Sequence, residues 1–294
     1  MRKTIWRKLT NFAPAILVLL GALVMIYPVI ATNVNDARQR QIAAQYDLEV
    51  AKAGPDLLAE SIDKARKYND HIVAHPILDP WLNRVTPNSP EYQAYIKELA
   101  VTSEIGRLKI GKIDVDLPIY HGTSTRVLAM GVGHLFGSSL PVGGVGTHAV
   151  LTGHSALGTA TLFDNLPKLQ NGDLITLMVS GETFAYRVTG KRVVLPHETE
   201  SLGAVPGKDL ITLITCTPYG VNTHRLLVTA ERTELPPPEV LAKVAPEKTW
   251  WQRILQIPYW MILMTTAAIA GTLFSLWFLF YTRRGKKEAD TSEE

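Results

Sequence analysis

Two uncharged apolar runs, residues 13–30 and 257–281, bracket this 294-residue chain and leave the stretch between them to fold in water. The first is just long enough to cross a hydrocarbon layer, and the second can span one with some tilt. Arg2, Lys3, Arg7 and Lys8 precede the first run, while Arg283, Arg284, Lys286 and Lys287 follow the second. Basic flanks stay cytoplasmic, so both termini are expected inside and the intervening domain outside the cell membrane, as a multi-pass protein. Val29-Ile30-Ala31 also reads as a signal-peptidase site, which keeps a cleaved leader open as the alternative for the first run. The second run carries Tyr259, Trp260, Trp277 and Tyr281 near its ends, where interfacial aromatics belong.

Of the 30 basic and 27 acidic residues, those eight bases and the acids Glu288, Asp290, Glu293 and Glu294 lie at the ends, leaving 22 and 23 for the middle. A near-neutral middle has no electrostatic footprint for nucleic acid. No set of Cys, His and acidic residues has structural-metal spacing, so neither a metal nor a cofactor is expected.

The expected organisation is a basic N-terminus (1–12), a membrane helix (13–31), a helical region (32–100), a β domain (101–234), a linker (235–256), a second membrane helix (257–281) and a cytoplasmic tail (282–294). Apolar residues at helical spacing from 35 to 70, interrupted by Gly54-Pro55, predict two helices. His75-Pro76-Ile77-Leu78-Asp79-Pro80-Trp81 excludes regular helix and predicts a loop carrying a large aromatic. Ser89-Pro90-Glu91 starts another helix, expected to reach about residue 99. Strand-like segments follow at 106–113, 115–120, 147–152, 174–179, 183–188, 192–195, 209–215 and 225–230, punctuated by Gly and Pro. The spacing predicts a mainly β fold, a closed or nearly closed barrel. Residues 161–166 are expected to form a short helix between strands. Leu235-Pro236-Pro237-Pro238 reads as a stiff spacer, followed by a juxtamembrane helix (239–256) with Trp250 and Trp251 suited to the interface.

Cys216 is the only cysteine. By itself it is a buried hydrophobe, a reactive thiol or an intermolecular link. It ends the apolar run 210–215 before the turn residues Pro218, Gly220 and Asn222, so its side chain is presented at a strand end. A reacting thiol needs a base or acid nearby and a group to hold developing negative charge. His154 ends the apolar run Val150-Leu151-Thr152-Gly153, and Arg225 opens the strand after the cysteine. His134, in Gly131-Val132-Gly133-His134, reads as a hydrogen-bonded structural histidine, and His224 would point to the face opposite Arg225.

In this order the three residues resemble the sortase family of transpeptidases, whose Thr-Leu-X-Thr-Cys signature matches residues 212–216. The run through Arg225, with Asp79-Pro80-Trp81 upstream, is similar to class C, pilus-assembling sortases, which carry an Asp-Pro-aromatic lid. The resemblance implies an eight-stranded barrel with N-terminal helices and the lid loop, flanked here by the two membrane helices. It also implies that Asp79 lies against Arg225 and Trp81 over Cys216. A Leu-Pro-X-Thr-Gly sorting signal would be cut between Thr and Gly and passed to Cys216 as a thioester. His154 would serve as general acid and base, and Arg225 would hold the oxyanion or the peptide, with Thr215 and Thr217 expected to bind substrate. The amine would come from a lysine on a pilin subunit. A lipid-linked peptidoglycan precursor is the alternative acceptor, and a membrane adaptor that binds sorting signals without cutting them is an alternative of another class. The position after the histidine, often basic in the family, is Ser155 here.

Overall fold

A computed structural model describes residues 2–71, 79, 87–239, 262–263 and 265–277. The chain divides into two units, residues 1–34 with 248–294, and residues 35–247. The expected N-terminal span and the first helix after it are one helix, α1 (Arg2–Lys52). Nothing in the local sequence between them breaks a helix, and the chain simply changes from apolar to polar. From Ile16 onward α1 is the one described helix long and apolar enough to cross a membrane. Of the second apolar run, the described residues include the apolar helix Thr265–Trp277. The expected juxtamembrane helix, with Trp250 and Trp251, lies outside the described residues.

Gly54 ends α1, and Pro55 and Asp56 occupy the first turn of α2 (Pro55–His71), where a missing N–H and an acid are both favourable. Ser89 caps α3 (Pro90–Tyr95), its hydroxyl accepting from the Tyr92 N–H at 3.2 Å. The helix stops short of residue 99: after Tyr95 the backbone continues in tighter turns, with the Lys97 N–H donating to the Ala94 carbonyl at 3.2 Å and the Glu98 N–H to the Tyr95 carbonyl at 3.1 Å, and Leu99 adopts φ +55°. A further short helix, α4 (Thr125–Met130), opens on a Ser124 cap that the sequence reading did not include.

The β domain is a closed barrel of eight strands: β1 (Gly106–Ile110), β2 (Val115–His121), β3 (Val132–His134), β4 (Thr147–Thr152), β5 (Leu174–Val179), β6 (Glu182–Val194), β7 (Asp209–Thr217) and β8 (His224–Thr233). Around the barrel the order is β1-β2-β3-β4-β7-β8-β6-β5. β2/β3 and β4/β7 pair in parallel, and the other pairs are antiparallel. The expected count of eight is met by different strands. Segments 183–188 and 192–195 are one strand, because β8 pairs with both halves and the Thr189-Gly190 irregularity is absorbed as a bulge. The missing member is β3, three residues long and glycine-containing. Gly133 is required there, since a Cβ would stand 2.3 Å from the Gly122 carbonyl oxygen. Segment 161–166 is a turn leading into a 3-10 turn at Leu166–Lys168 rather than a helix.

Alternation along the strands sorts side chains to two faces. Leu108, Ile119, Leu151, Leu177, Leu213 and Val228 belong to the large core that fills the barrel. Val150, Ile214 and Leu227, on the alternate positions, form a second cluster outside it with Leu135 and Leu202. That outer cluster is the floor on which the candidate site stands. His134 is fully buried, its ring bonded to the Tyr95 hydroxyl at 2.8 Å and the Ser139 carbonyl at 2.8 Å. Desolvation depresses its pKa to about 4, which keeps the ring neutral and structural.

Candidate active site

Cys216 follows Ile214 by two residues on β7, so it shares the outer face with that floor residue. Arg225 precedes Leu227 by two on β8 and does the same. Cys216 and Arg225 are directly opposite in the antiparallel register, which sets their side chains next to each other. In the parallel β4/β7 pair Thr152 lies beside Ile214, and two residues further along each chain stand His154 and Cys216. Backbone and side-chain bonds carry this register past the end of β4. The Gly153 N–H donates to the Ile214 carbonyl at 3.0 Å, and the Thr215 hydroxyl donates to the Gly153 carbonyl at 2.8 Å. Gly153 tolerates no side chain, because a Cβ would lie 2.7 Å from the Phe163 ring.

Three ends of three segments therefore converge: His154 from the β4 loop, Cys216 from β7 and Arg225 from β8. Asp79, on the connection between α2 and α3, joins them. Its carboxylate accepts from Arg225 Nε at 2.6 Å and Nη2 at 3.2 Å, a two-pronged pair with Asp79 at 5% and Arg225 at 9% exposure. Arg225 Nη1 also donates to the carbonyls of Asn222 and His224, each at 3.1 Å. Pro80 and Trp81 lie outside the described residues.

Burial pushes the Cys216 thiol above its ordinary pKa. The Arg225 charge works against that rise and the Asp79 charge adds to it. Burial also lowers the His154 imidazole below its ordinary value. Both groups are therefore biased toward their neutral forms at neutral pH, and the reactive thiolate–imidazolium pairing is a minority species.

Thr215, expected to bind substrate, is fully buried on the opposite face of β7 with its hydroxyl committed to Gly153. Adjacent residues of a strand point to opposite faces, so Thr215 faces away from the Cys216 side chain and its hydroxyl braces the histidine loop. Thr217 is half-buried at the strand end. Sequence reasoning noted Ser155 only as a departure from a basic residue. Its hydroxyl donates to the Cys216 carbonyl at 2.7 Å, a direct tie between the histidine loop and the cysteine strand. Nothing local marks a serine for that task.

The sortase domain family matches residues 108–233, a span that contains His154, Cys216 and Arg225. The chain belongs to the sortase family, whose members are cysteine transpeptidases. Among solved structures it is similar to sortase C-1 from Actinomyces oris, at 54% identity and TM-score 0.60, over 61% of this chain and 99% of that one. It is also similar to sortase A from Corynebacterium diphtheriae, at 49% identity and TM-score 0.62, over 70% and 98% of the two chains. A pilus-related sortase C of Group B Streptococcus matches at 38% identity and TM-score 0.59, over 64% and 95%. The curated sortases it matches are spanned over 52% to 64% of their own length.

Proposed function

We propose that this chain is a membrane-anchored transpeptidase that polymerises pilin subunits. The observation that carries the reading is the convergence of Cys216, His154 and Arg225 on the outer face of the barrel, with Asp79 holding Arg225. The similarity to sortase C-1 and to a pilus-related sortase C supports the class.

In this reading Cys216 attacks the Thr carbonyl of a Leu-Pro-X-Thr-Gly signal. The Thr–Gly C–N bond breaks, a C–S bond forms, and His154 delivers a proton to the departing glycine amine. An acceptor lysine amine then attacks the thioester, His154 takes its proton, and the thiol is restored as the isopeptide bond forms. Arg225 holds the carbonyl oxygen as it gains charge, and Thr217 contacts the peptide at the rim. Arg225 is occupied by Asp79, so the segment that carries Asp79 acts as a lid that must leave before substrate enters. The first apolar helix anchors the domain, and the run 257–281 crosses the membrane a second time, with both termini cytoplasmic.

The test mixes the full-length protein in detergent with a candidate pilin that carries both the signal and its lysine, read as a ladder on a denaturing gel. A ladder that disappears in Cys216→Ala establishes polymerisation. A Cys216 thioester detected by mass spectrometry without a ladder favours transfer to a lipid-linked peptidoglycan precursor. Absence of any adduct leaves a sorting-signal adaptor as the better description.

A further inference from the structure

The loop 153–165, between β4 and β5, presents His154 near one end, and α1 touches it further along. The Thr161 N–H and hydroxyl donate to the two carboxylate oxygens of Asp36 at 2.9 and 2.6 Å. The side-chain amide of the neighbouring Asn35 donates to the Thr159 carbonyl at 2.9 Å. Both residues stand on α1 a few positions past the apolar run 13–30. Other residues of α1 seat it on the barrel: the Tyr46 hydroxyl accepts from the Ser180 N–H at 2.8 Å, and Asp47 pairs with Arg107 of β1. The Asp36 pair therefore acts on the loop more than on the seating of the helix.

From Thr161 two short routes lead to the histidine. Phe163, two residues on, donates its N–H to the His154 carbonyl at 3.0 Å, and its ring lies against Gly153. Asp164 donates its N–H to the Thr161 carbonyl at 2.8 Å and accepts from the Ala156 N–H at 2.7 Å. Leu162, between Thr161 and Phe163, adopts φ +38°, a left-handed conformation that a bulky residue keeps only when its surroundings hold it there. Its side chain is fixed in the barrel core, and the residue before it is gripped by Asp36.

We propose that Asp36 is a positioning residue for His154: from α1 it grips Thr161, which keeps Leu162 in its left-handed conformation and the Phe163 N–H on the His154 carbonyl. The inference rests on the reading of Cys216 and His154 as the reacting pair. An outside grip matters because β4 ends at Thr152, two residues short of the histidine. Without Asp36 the backbone at Leu162 relaxes toward negative φ, the Phe163 N–H turns away, and His154 loses its fixed approach to Cys216. The first polar residues beyond the apolar run thus reach the loop of the acid–base residue.

The test uses the full-length protein in detergent, in an Asp79→Ala background that gives every variant the same access to Cys216. Iodoacetamide alkylation of Cys216 is followed by mass spectrometry at about pH 7, where the thiol is mostly protonated and draws on His154 as base. Alanine is the strongest helix former, so Asp36→Ala removes the grip and leaves α1 helical. It is expected to slow alkylation about tenfold, the value of one hydrogen bond to a charged group. With His154→Ala added, the same replacement is expected to change the rate by less than about twofold, because an effect carried by the histidine vanishes with it. Asp36→Asn keeps an acceptor for the Thr161 N–H and offers the hydroxyl an amide donor, and is expected to return the rate to within about threefold of the parent. A parental rate in Asp36→Ala, an equal slowing with and without His154, or an asparagine variant as slow as alanine overturns the proposal. If Asp36→Ala does not fold, Thr161→Val removes the hydroxyl and keeps the shape and the N–H. A slowing of about threefold is then expected, and a parental rate overturns the proposal. Turnover of a Leu-Pro-Glu-Thr-Gly peptide, followed in parallel, reports on the transpeptidase reading alone; its failure leaves the alkylation comparison intact.

Discussion

Replacing Asp79 by alanine removes both carboxylate oxygens from the Arg225 guanidinium, the contacts at 2.6 and 3.2 Å. With Asp79 5% and Arg225 9% exposed, this pair is not screened as a surface ion pair is. Hydrogen bonds to a charged partner contribute about 1.5–3 kcal/mol net, part of the full cost being offset when the freed arginine is rehydrated. If that contribution is what holds Asp79 over the site, its loss raises the open population by about 10- to 150-fold. On the proposed lid, iodoacetamide reaches Cys216 in the open state, so the alkylation rate at fixed pH should rise by the same factor. A second effect travels with it. The thiol keeps Arg225, which favours the thiolate, and loses Asp79, which opposes it, so the pH profile of alkylation should move toward lower pH. Asp79→Asn, which retains an acceptor without the charge, should fall between wild type and alanine. Alkylation rates within twofold of wild type, with no displacement of the pH profile, would refute the reasoning.

Gly153→Ala places a methyl 2.7 Å from the Phe163 ring, an overpacking that costs about 1–3 kcal/mol and displaces His154 from its register with Cys216. Turnover should fall at least tenfold while circular dichroism still reports the barrel. Arg225→Lys keeps the charge but replaces a planar fork with a point charge, so it should weaken the Asp79 contact and reduce peptide turnover by about tenfold or more, as seen in kcat/KM. The folded pKa of His134 lies near 4 against an ordinary 6.5, so its contribution is complete above pH 6.5 and is lost as the pH falls toward 4. Integrated over that window it amounts to about 3 kcal/mol, which urea midpoints measured between pH 7 and 4 should show as a decline.

Much of the candidate site was legible because it is written in local terms. A lone cysteine at the junction of a β-branched run and a Pro-Gly-Asn turn, a histidine ending another apolar run and an arginine opening the next strand each follow from composition and turn chemistry within a few residues. The break at Gly54-Pro55 and the Ser89 cap were legible for the same reason, since proline and a short hydroxyl act on their own backbone. Pairing is another matter. Thr189-Gly190 reads as a turn in isolation, yet β8 offers partners on both sides and holds β6 as one strand. Val132-Gly133-His134 has too few residues to announce a strand, and becomes one because β2 and β4 flank it.

The sequence by itself determined that the domain is a β barrel, that an apolar helix precedes it in the chain and that Cys216, His154 and Arg225 fall at the ends of their segments, because alternation and turn residues are properties of short stretches. Only the tertiary structure decided which residues hold those three in place. Ser155 reaches across 61 positions to the Cys216 carbonyl, Thr215 turns inward to brace Gly153, and Asp79 meets Arg225 across 146. Such contacts depend on register and on which face of a strand a side chain occupies, and those are set when strands distant in the chain pair with one another.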